Sequence, residues 1–162
     1  MILIAAGSNL PLHSIDSQQI VLQSFLAIGR FAPLVAQSPL YQSPAWPDPL
    51  GPAYVNAVAA LETTLSPASL LAGLHAVEQA FGRERSERNA PRTLDLDLIA
   101  YHDEVSSGAD GGPQLPHPRM KVRDFVLAPL VDIAPNWRCP GDGQSAAALL
   151  NALPERSASR LS

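Results

Sequence analysis

Cysteine is nearly absent from this sequence. The 162-residue chain carries one, Cys139, so no internal disulfide can form, and no Cys/His cluster offers a zinc site. Long apolar runs are missing too: no stretch approaches the roughly 20 residues that a membrane helix needs. The opening MILIAAGSNL has no basic region ahead of an extended apolar core, and it reads as a buried strand, not a secretory signal. There is no basic excess. The net charge of -4 gives no general attraction to nucleic acid or anionic membrane. A cytoplasmic protein with neither nucleic acid nor membrane as partner is therefore expected, and nothing demands an obligate protein partner. The GxxxxGK[ST] loop and the protein-kinase signatures are also lacking, so a bound nucleotide would be held by side chains and metals.

What the chain does have is apolar mass: 46% of its residues, enough for one core. Met1 to Ala6 reads as a strand, ending in a turn at Gly7-Ser8-Asn9. Asp16 to Gly29 reads as a helix with Ile20, Leu22, Phe25, Leu26 and Ile28 as apolar positions. Leu34 to Tyr41 reads as a strand weakened by Pro39, followed by a Pro-rich loop from Ser43 to Pro52. Tyr54 to Glu62 is the next strand. Ser66 then caps a helix with Pro67 at its first position, apolar at Leu70, Leu71, Leu74, Val77 and Phe81 and closed by Gly82. Thr93 to Tyr101 alternates as a strand. Strand, helix, strand, strand, helix, strand is the ferredoxin-like order, an α+β fold with an antiparallel sheet and both helices on one face. Beyond it come C-terminal additions: a loop over 102–116, a short helix over Phe125 to Ile133, and a small helix over Ser145 to Leu153. Residues 1–153 read as a single domain and 154–162 as a frayed tail.

Charge is unevenly spread. Of eleven basic residues, seven fall between Arg83 and Arg123: Arg83, Arg85, Arg88, Arg92, Arg119, Lys121 and Arg123. Arginine favours bidentate grip on phosphate or carboxylate. The same window holds Arg92-Thr93-Leu94-Asp95-Leu96-Asp97-Leu98-Ile99. On a strand, Asp95 and Asp97 share one face, and Leu94, Leu96 and Leu98 the other. Two carboxylates with Cα atoms roughly 6.5 Å apart repel unless something positive lies between them. Two readings fit: a solvated polar face of an edge strand, or a pair of hard cations shared by both acids. Magnesium suits the second, since it takes few carboxylates and fills its shell with water and phosphate oxygens. Arg92, three residues before Asp95, favours it, because charge builds on phosphate oxygens during transfer.

Other polar candidates are fewer. His117 sits between Pro116 and Pro118, with Arg119, Lys121 and Arg123 following; it is either a stiffened phosphate donor or a surface loop histidine. Asn56 shares a strand face with Tyr54 and Val58. Its amide could meet the mixed edge of a heterocycle or bond to a neighbouring loop. Tyr54, Trp46 and Phe125 could stack on a flat ring or fill core.

These segments resemble one family. AAGSNL, YVNAVAALET, VEQAFGRER, PRTLDLDLI and LPHPRMKVRDFVLAPLVDIAP, running from Ile4 to about Pro135, are similar to 6-hydroxymethyl-7,8-dihydropterin pyrophosphokinases of folate biosynthesis. The resemblance implies transfer of pyrophosphate from ATP to the pterin hydroxymethyl group. Asp95 and Asp97 would hold two magnesium ions, and Arg83 and Arg92 would act with them in catalysis. Glu78, Arg83, Arg92, Leu98, His117 and Arg123 would bind ATP. Ser43, Pro44, Trp46, Tyr54, Asn56 and Phe125 would bind the pterin. The resemblance also implies a monomer acting on small molecules. The chain departs from the family pattern at Asn89, where many members carry tryptophan. A phosphohydrolase using the same carboxylates, or a non-catalytic ligand-binding module, are the competing readings. Phosphate release without pterin would mark the first, and magnesium-independent binding the second.

Overall fold

The computed structural model describes residues 1–45, 49–83 and 92–162. Its elements in order are β1 (Ile2–Ser8), α1 (Ser17–Ile28), β2 (Leu34–Gln37), β3 (Tyr41–Ser43), β4 (Tyr54–Leu61), α2 (Pro67–Ala80), β5 (Asp95–Tyr101), a 3₁₀ turn (Met120–Val122), α3 (Asp124–Ile133), α4 (Ala146–Ala152) and β6 (Ser159–Arg160). The strands form one antiparallel sheet in the order β5-β1-β4-β3-β6, with β2 also pairing β4.

Period-two alternation builds a core on each face of this sheet. Ile2, Ile4 and Ala6 of β1 join Ala57, Ala59, Leu61, Leu94, Leu96 and Leu98 beneath α1 and α2. Leu3, Ala5, Val58, Ala60 and Ile99 face α3 and α4. Each large side chain so buried contributes about 1.5–3 kcal/mol. α1 starts where Asp16 accepts from Gln19 N while the Gln19 side chain reaches back to Asp16 N, a reciprocal cap. It buries Ile20, Val21, Phe25 and Ile28. Leu22 and Leu26, expected on the apolar face, instead point outward at 41% and 74% exposure. α2 begins at Ser66, which accepts from Ser69 N, with Pro67 first in the helix. Gly82 follows its end at φ +71°, a backbone angle that side chains with a Cβ resist.

Three local expectations fail. Gly7 and Ser8 continue β1 instead of turning, because β4 pairs with both and β5 pairs with Gly7. The single strand expected over Leu34 to Tyr41 breaks into β2 and β3 around Ser38-Pro39-Leu40. Pro39 has no N–H to give a ladder, and Ser38 uses its hydroxyl to accept from Val58 N. Gly29 does close α1 as its C-cap, with right-handed angles φ -56° and ψ -15°. The tail is not frayed: β6 pairs with β3, Leu161 N donates to Leu40 O, and Asp124 accepts from Ser157 and Ala158.

Candidate active site

β1 is the reason the polar residues meet. Register places Asp95 beside Gly7 and Asp97 beside Ala5 on one flank. On the other flank Asn56 lies beside Gly7, and Val58 beside Ala5. Tyr41 then follows Asn56, and Ser43 follows Tyr54. The row Asp95–Gly7–Asn56–Tyr41 therefore crosses the sheet on the face that carries α3. Gly7 and Ala5 are small, so the floor between the acids and Asn56 stays open. A Cβ on Gly7 would stand 3.3 Å from Asn56 Oδ1 and 3.7 Å from Tyr54 Cδ1.

Above this floor lies a cleft of about 670 Å³, within the roughly 300–1,000 Å³ of small-molecule sites. One end holds Asp95, Asp97, Arg92, Arg119 and Arg123; the other holds Ser43, Pro44, Tyr54, Asn56 and Phe125. At the charged end every carboxylate meets a cation. Asp95 Oδ1 lies 2.7 Å from Arg83 and Oδ2 lies 2.9 Å from Arg92. Asp97 Oδ2 lies 3.0 Å from Arg123. Three guanidinium groups thus surround two carboxylates. Both acids keep about 30% of their side chains exposed, 28% for Asp95 and 30% for Asp97, so they remain open to a ligand.

His117 is docked by its backbone N–H, which donates to Ile99 O at 2.8 Å. Its Nδ1 accepts from Arg119 N at 3.2 Å, which leaves the ring proton on Nε2. Nε2 stands 3.7 Å from Asp97 Oδ1, too far for a hydrogen bond to it. Burial holds the imidazole below its ordinary pKa, outweighing the pull of Asp97. Near neutral pH it is an uncharged N–H donor beside Asp97, set back from the residues that line the cleft.

At the opposite end, Asn56 Nδ2 donates to Ser43 Oγ at 2.9 Å. Ser43 contributes its hydroxyl there. The Arg123 guanidinium lies 5.6 Å from the centre of the Phe125 ring, within cation–π range, and so links the two ends.

Several expected residues sit elsewhere. Leu98 turns its side chain into the core under α1 and α2, at 3% exposure; the alternation that sends Asp97 into the cleft sends Leu98 away from it. Glu78 is 4% exposed and does not line the cleft. It accepts from Leu96 N at 2.7 Å and bonds to Arg83, so it supports Asp95 from behind the sheet edge. Lys121 leaves the basic group and pairs with Asp142. Trp46, Arg85, Arg88 and Asn89 lie outside the described residues.

Two contributors were not singled out from sequence. Asn9, read as part of a turn, is 4% exposed. Its Oδ1 accepts from Arg92 N at 2.9 Å and its Nδ2 donates to Pro52 O at 3.1 Å. Asn9 N and Leu10 N both donate to Arg92 O. One residue thus ties the Arg92 segment to the loop before β4. The only available signal was a polar residue following a buried strand. Asp124, 7% exposed, holds the C-terminal tail, and nothing in its neighbourhood of sequence points there.

No group of three or more His, Cys, Asp or Glu able to hold a metal ion occurs among the described residues. Among the described residues, Asp95 and Asp97 are the carboxylates offered to a hard cation there. That set fits magnesium delivered with a polyphosphate, since phosphate and water complete its shell. It does not fit zinc or a closed calcium cage.

Comparison with known proteins agrees with this geometry. A family model described as 7,8-dihydro-6-hydroxymethylpterin-pyrophosphokinase matches residues 3–135. A 2-amino-4-hydroxy-6-hydroxymethyldihydropteridine pyrophosphokinase from Pseudomonas aeruginosa is 44% identical over 164 residues, covering 98% of this chain and 94% of the relative. A Synechocystis protein of the same name is 48% identical over 105 residues, covering 65% of this chain and 52% of that one. Among solved structures, wild-type Plasmodium falciparum HPPK-DHPS superposes with a TM-score of 0.70 over 93% of this chain. At 11% identity that likeness speaks for the fold alone, and the chain spans only 44% of that longer protein.

Proposed function

Because the chain belongs to the 7,8-dihydro-6-hydroxymethylpterin pyrophosphokinase family, we propose that its cleft carries out the family reaction with the phosphates of ATP at the arginine-ringed end and the pterin at the Asn56 end. The enzyme transfers pyrophosphate from ATP to the hydroxymethyl group of 6-hydroxymethyl-7,8-dihydropterin, giving the pterin diphosphate and AMP in folate synthesis. The observation that carries the assignment of ends is the pairing of Asp95 and Asp97 with three arginines across a glycine floor from Asn56.

In the reaction the pterin hydroxymethyl oxygen bonds to the β-phosphorus. The bond from that phosphorus to the α,β-bridging oxygen breaks, and the hydroxyl proton is released. Asp95 and Asp97 would hold two magnesium ions, which when bound neutralise polyphosphate charge. Arg83, Arg92 and Arg123, which flank the acids, would grip phosphate oxygens, where transferring charge is stabilised. His117 donates Nε2–H to the same group. Tyr54 and Phe125 flank the pterin ring, and Asn56, steadied by Ser43, reads its polar edge. Such a site works mainly by positioning. The working form is proposed as a cytoplasmic monomer; light scattering at a mass other than 17.2 kDa would refute the monomer.

AMP should form only when ATP, magnesium and the pterin are all present. Phosphate release from ATP without pterin would instead favour a hydrolase. Asn56→Ala is expected to raise the pterin KM by about tenfold and leave the ATP KM near its starting value, since a buried polar contact is worth about 1–3 kcal/mol. An unchanged pterin KM would reverse the assignment of ends.

Gly7→Ala tests the floor. Its methyl would press on Asn56 Oδ1 at 3.3 Å, closer than most real contacts, while its backbone angle tolerates alanine. The expected result is a pterin KM raised roughly threefold to tenfold, the cost of a strained contact of about 1 kcal/mol, with little change in thermal stability. Steady-state kinetics at saturating ATP reads it.

A further inference from the structure

The C-terminal segment enters the cleft although the family match ends at residue 135. Glu155 and Ser157 both line the cleft. The segment is built in at two points. Asp124 Oδ2 accepts from Ser157 N, from Ser157 Oγ at 3.3 Å and from Ala158 N at 2.7 Å. β6 then pairs with β3, Ser159 opposite Gln42 and Arg160 opposite Tyr41. Asp124 is nearly buried, and a carboxylate in that position needs such donors to offset its desolvation. It stands directly before Phe125 at the start of α3, while β3 ends at Ser43, the partner of Asn56. The tail therefore spans from one wall of the cleft to the other. Sheet order fixes which end: β6 lies at the opposite edge from β5, which carries Asp95 and Asp97.

From this we infer that the segment from Glu155 to Ala158, latched by Asp124, is a wall of the pterin end of the cleft, and that Asp124 is a positioning residue for pterin binding. The inference rests on the reading that the Asn56 end takes the pterin. A latched wall excludes water from the ring and lowers the ordering cost of binding. Release of the latch frees the wall but leaves the phosphate end as it was.

The test uses full-length variants. Asp124→Ala is expected to raise the pterin KM by about tenfold or more, with the ATP KM within about twofold. Asp124→Asn keeps an acceptor for the tail amides and should recover part of that loss, which a purely structural defect would not show. Glu155→Gly strips the wall without touching the latch, and covers the case in which Asp124→Ala does not fold. It should raise the pterin KM in the same selective way. Asn56→Ala serves as the control. A pterin effect in Asn56→Ala with none in the Asp124 and Glu155 variants overturns the wall and leaves the cleft reading standing. No pterin effect in any of them overturns both.

Discussion

Asp97→Ala is expected to lower AMP formation by at least about a thousandfold, a loss of the size seen when charge stabilisation of a transition state is removed. The fold should survive it. Asp97 sits on the polar side of β5, 30% exposed and outside both cores. Its loss costs one ion pair to Arg123, which at this exposure is worth about 1 kcal/mol or less. Asp97→Asn should fail nearly as badly, because the neutral amide keeps the shape and loses the charge that a magnesium ion requires. Asp95→Ala should lose comparable activity and in addition free Arg83 and Arg92 together. Turnover within about tenfold of wild type in Asp97→Ala, at saturating magnesium, would remove this residue from the metal site.

Much of the fold was legible because it rests on local rules. Alternation in Leu94–Leu98 sent the leucines to one core and the two acids to the other face. Ser66 and Pro67 marked the start of α2, and Asp16 the start of α1. The misreadings share a cause. Gly7, Ser8 and Asn9 have the composition of a turn, yet two neighbouring strands supply partners for Gly7 and Ser8, and pairing overrides propensity. The tail has few apolar residues, chiefly Ala158 and Leu161, to advertise burial, and its order comes from Asp124 and from backbone pairing with β3. Neither is visible in those nine residues read alone. The site divides in the same way. Asp95, Asp97 and Arg92 could be found because spacing and chemistry agree within one strand. Asn9 could not, because its value lies in joining Arg92 to Pro52, 83 and 43 residues away. Leu98 illustrates the converse: family resemblance suggested a nucleotide contact, and its side chain faces the core.

Glu78 joins stability to the site, and its replacement should disturb both. The carboxylate is 4% exposed, accepts from Leu96 N and pairs with Arg83, which in turn holds Asp95. In Glu78→Ala the Leu96 N–H loses its partner and Arg83 loses an anchor. Because Arg83 keeps 23% of its side chain exposed, the expected destabilisation is about 2–3 kcal/mol, below the figure for a fully buried pair. Turnover should fall with it, as Arg83 no longer meets the phosphates in a fixed place. Burial pushes the Glu78 carboxyl up to about 7, against the lowering pull of the Leu96 N–H and Arg83. The sign of the pH effect follows. With a folded pKa above the unfolded value, the native state binds the extra proton, so this stabilisation is full below about pH 4.5 and is lost as pH rises through about 7. In magnesium-free buffer with chelator, urea unfolding should therefore show wild-type stability declining from about pH 5.5 to about pH 8 relative to Glu78→Gln, which cannot titrate. A wild type that gains stability over the variant across that interval would mean that the Arg83 pairing outweighs burial and that Glu78 is already ionised at the lower pH.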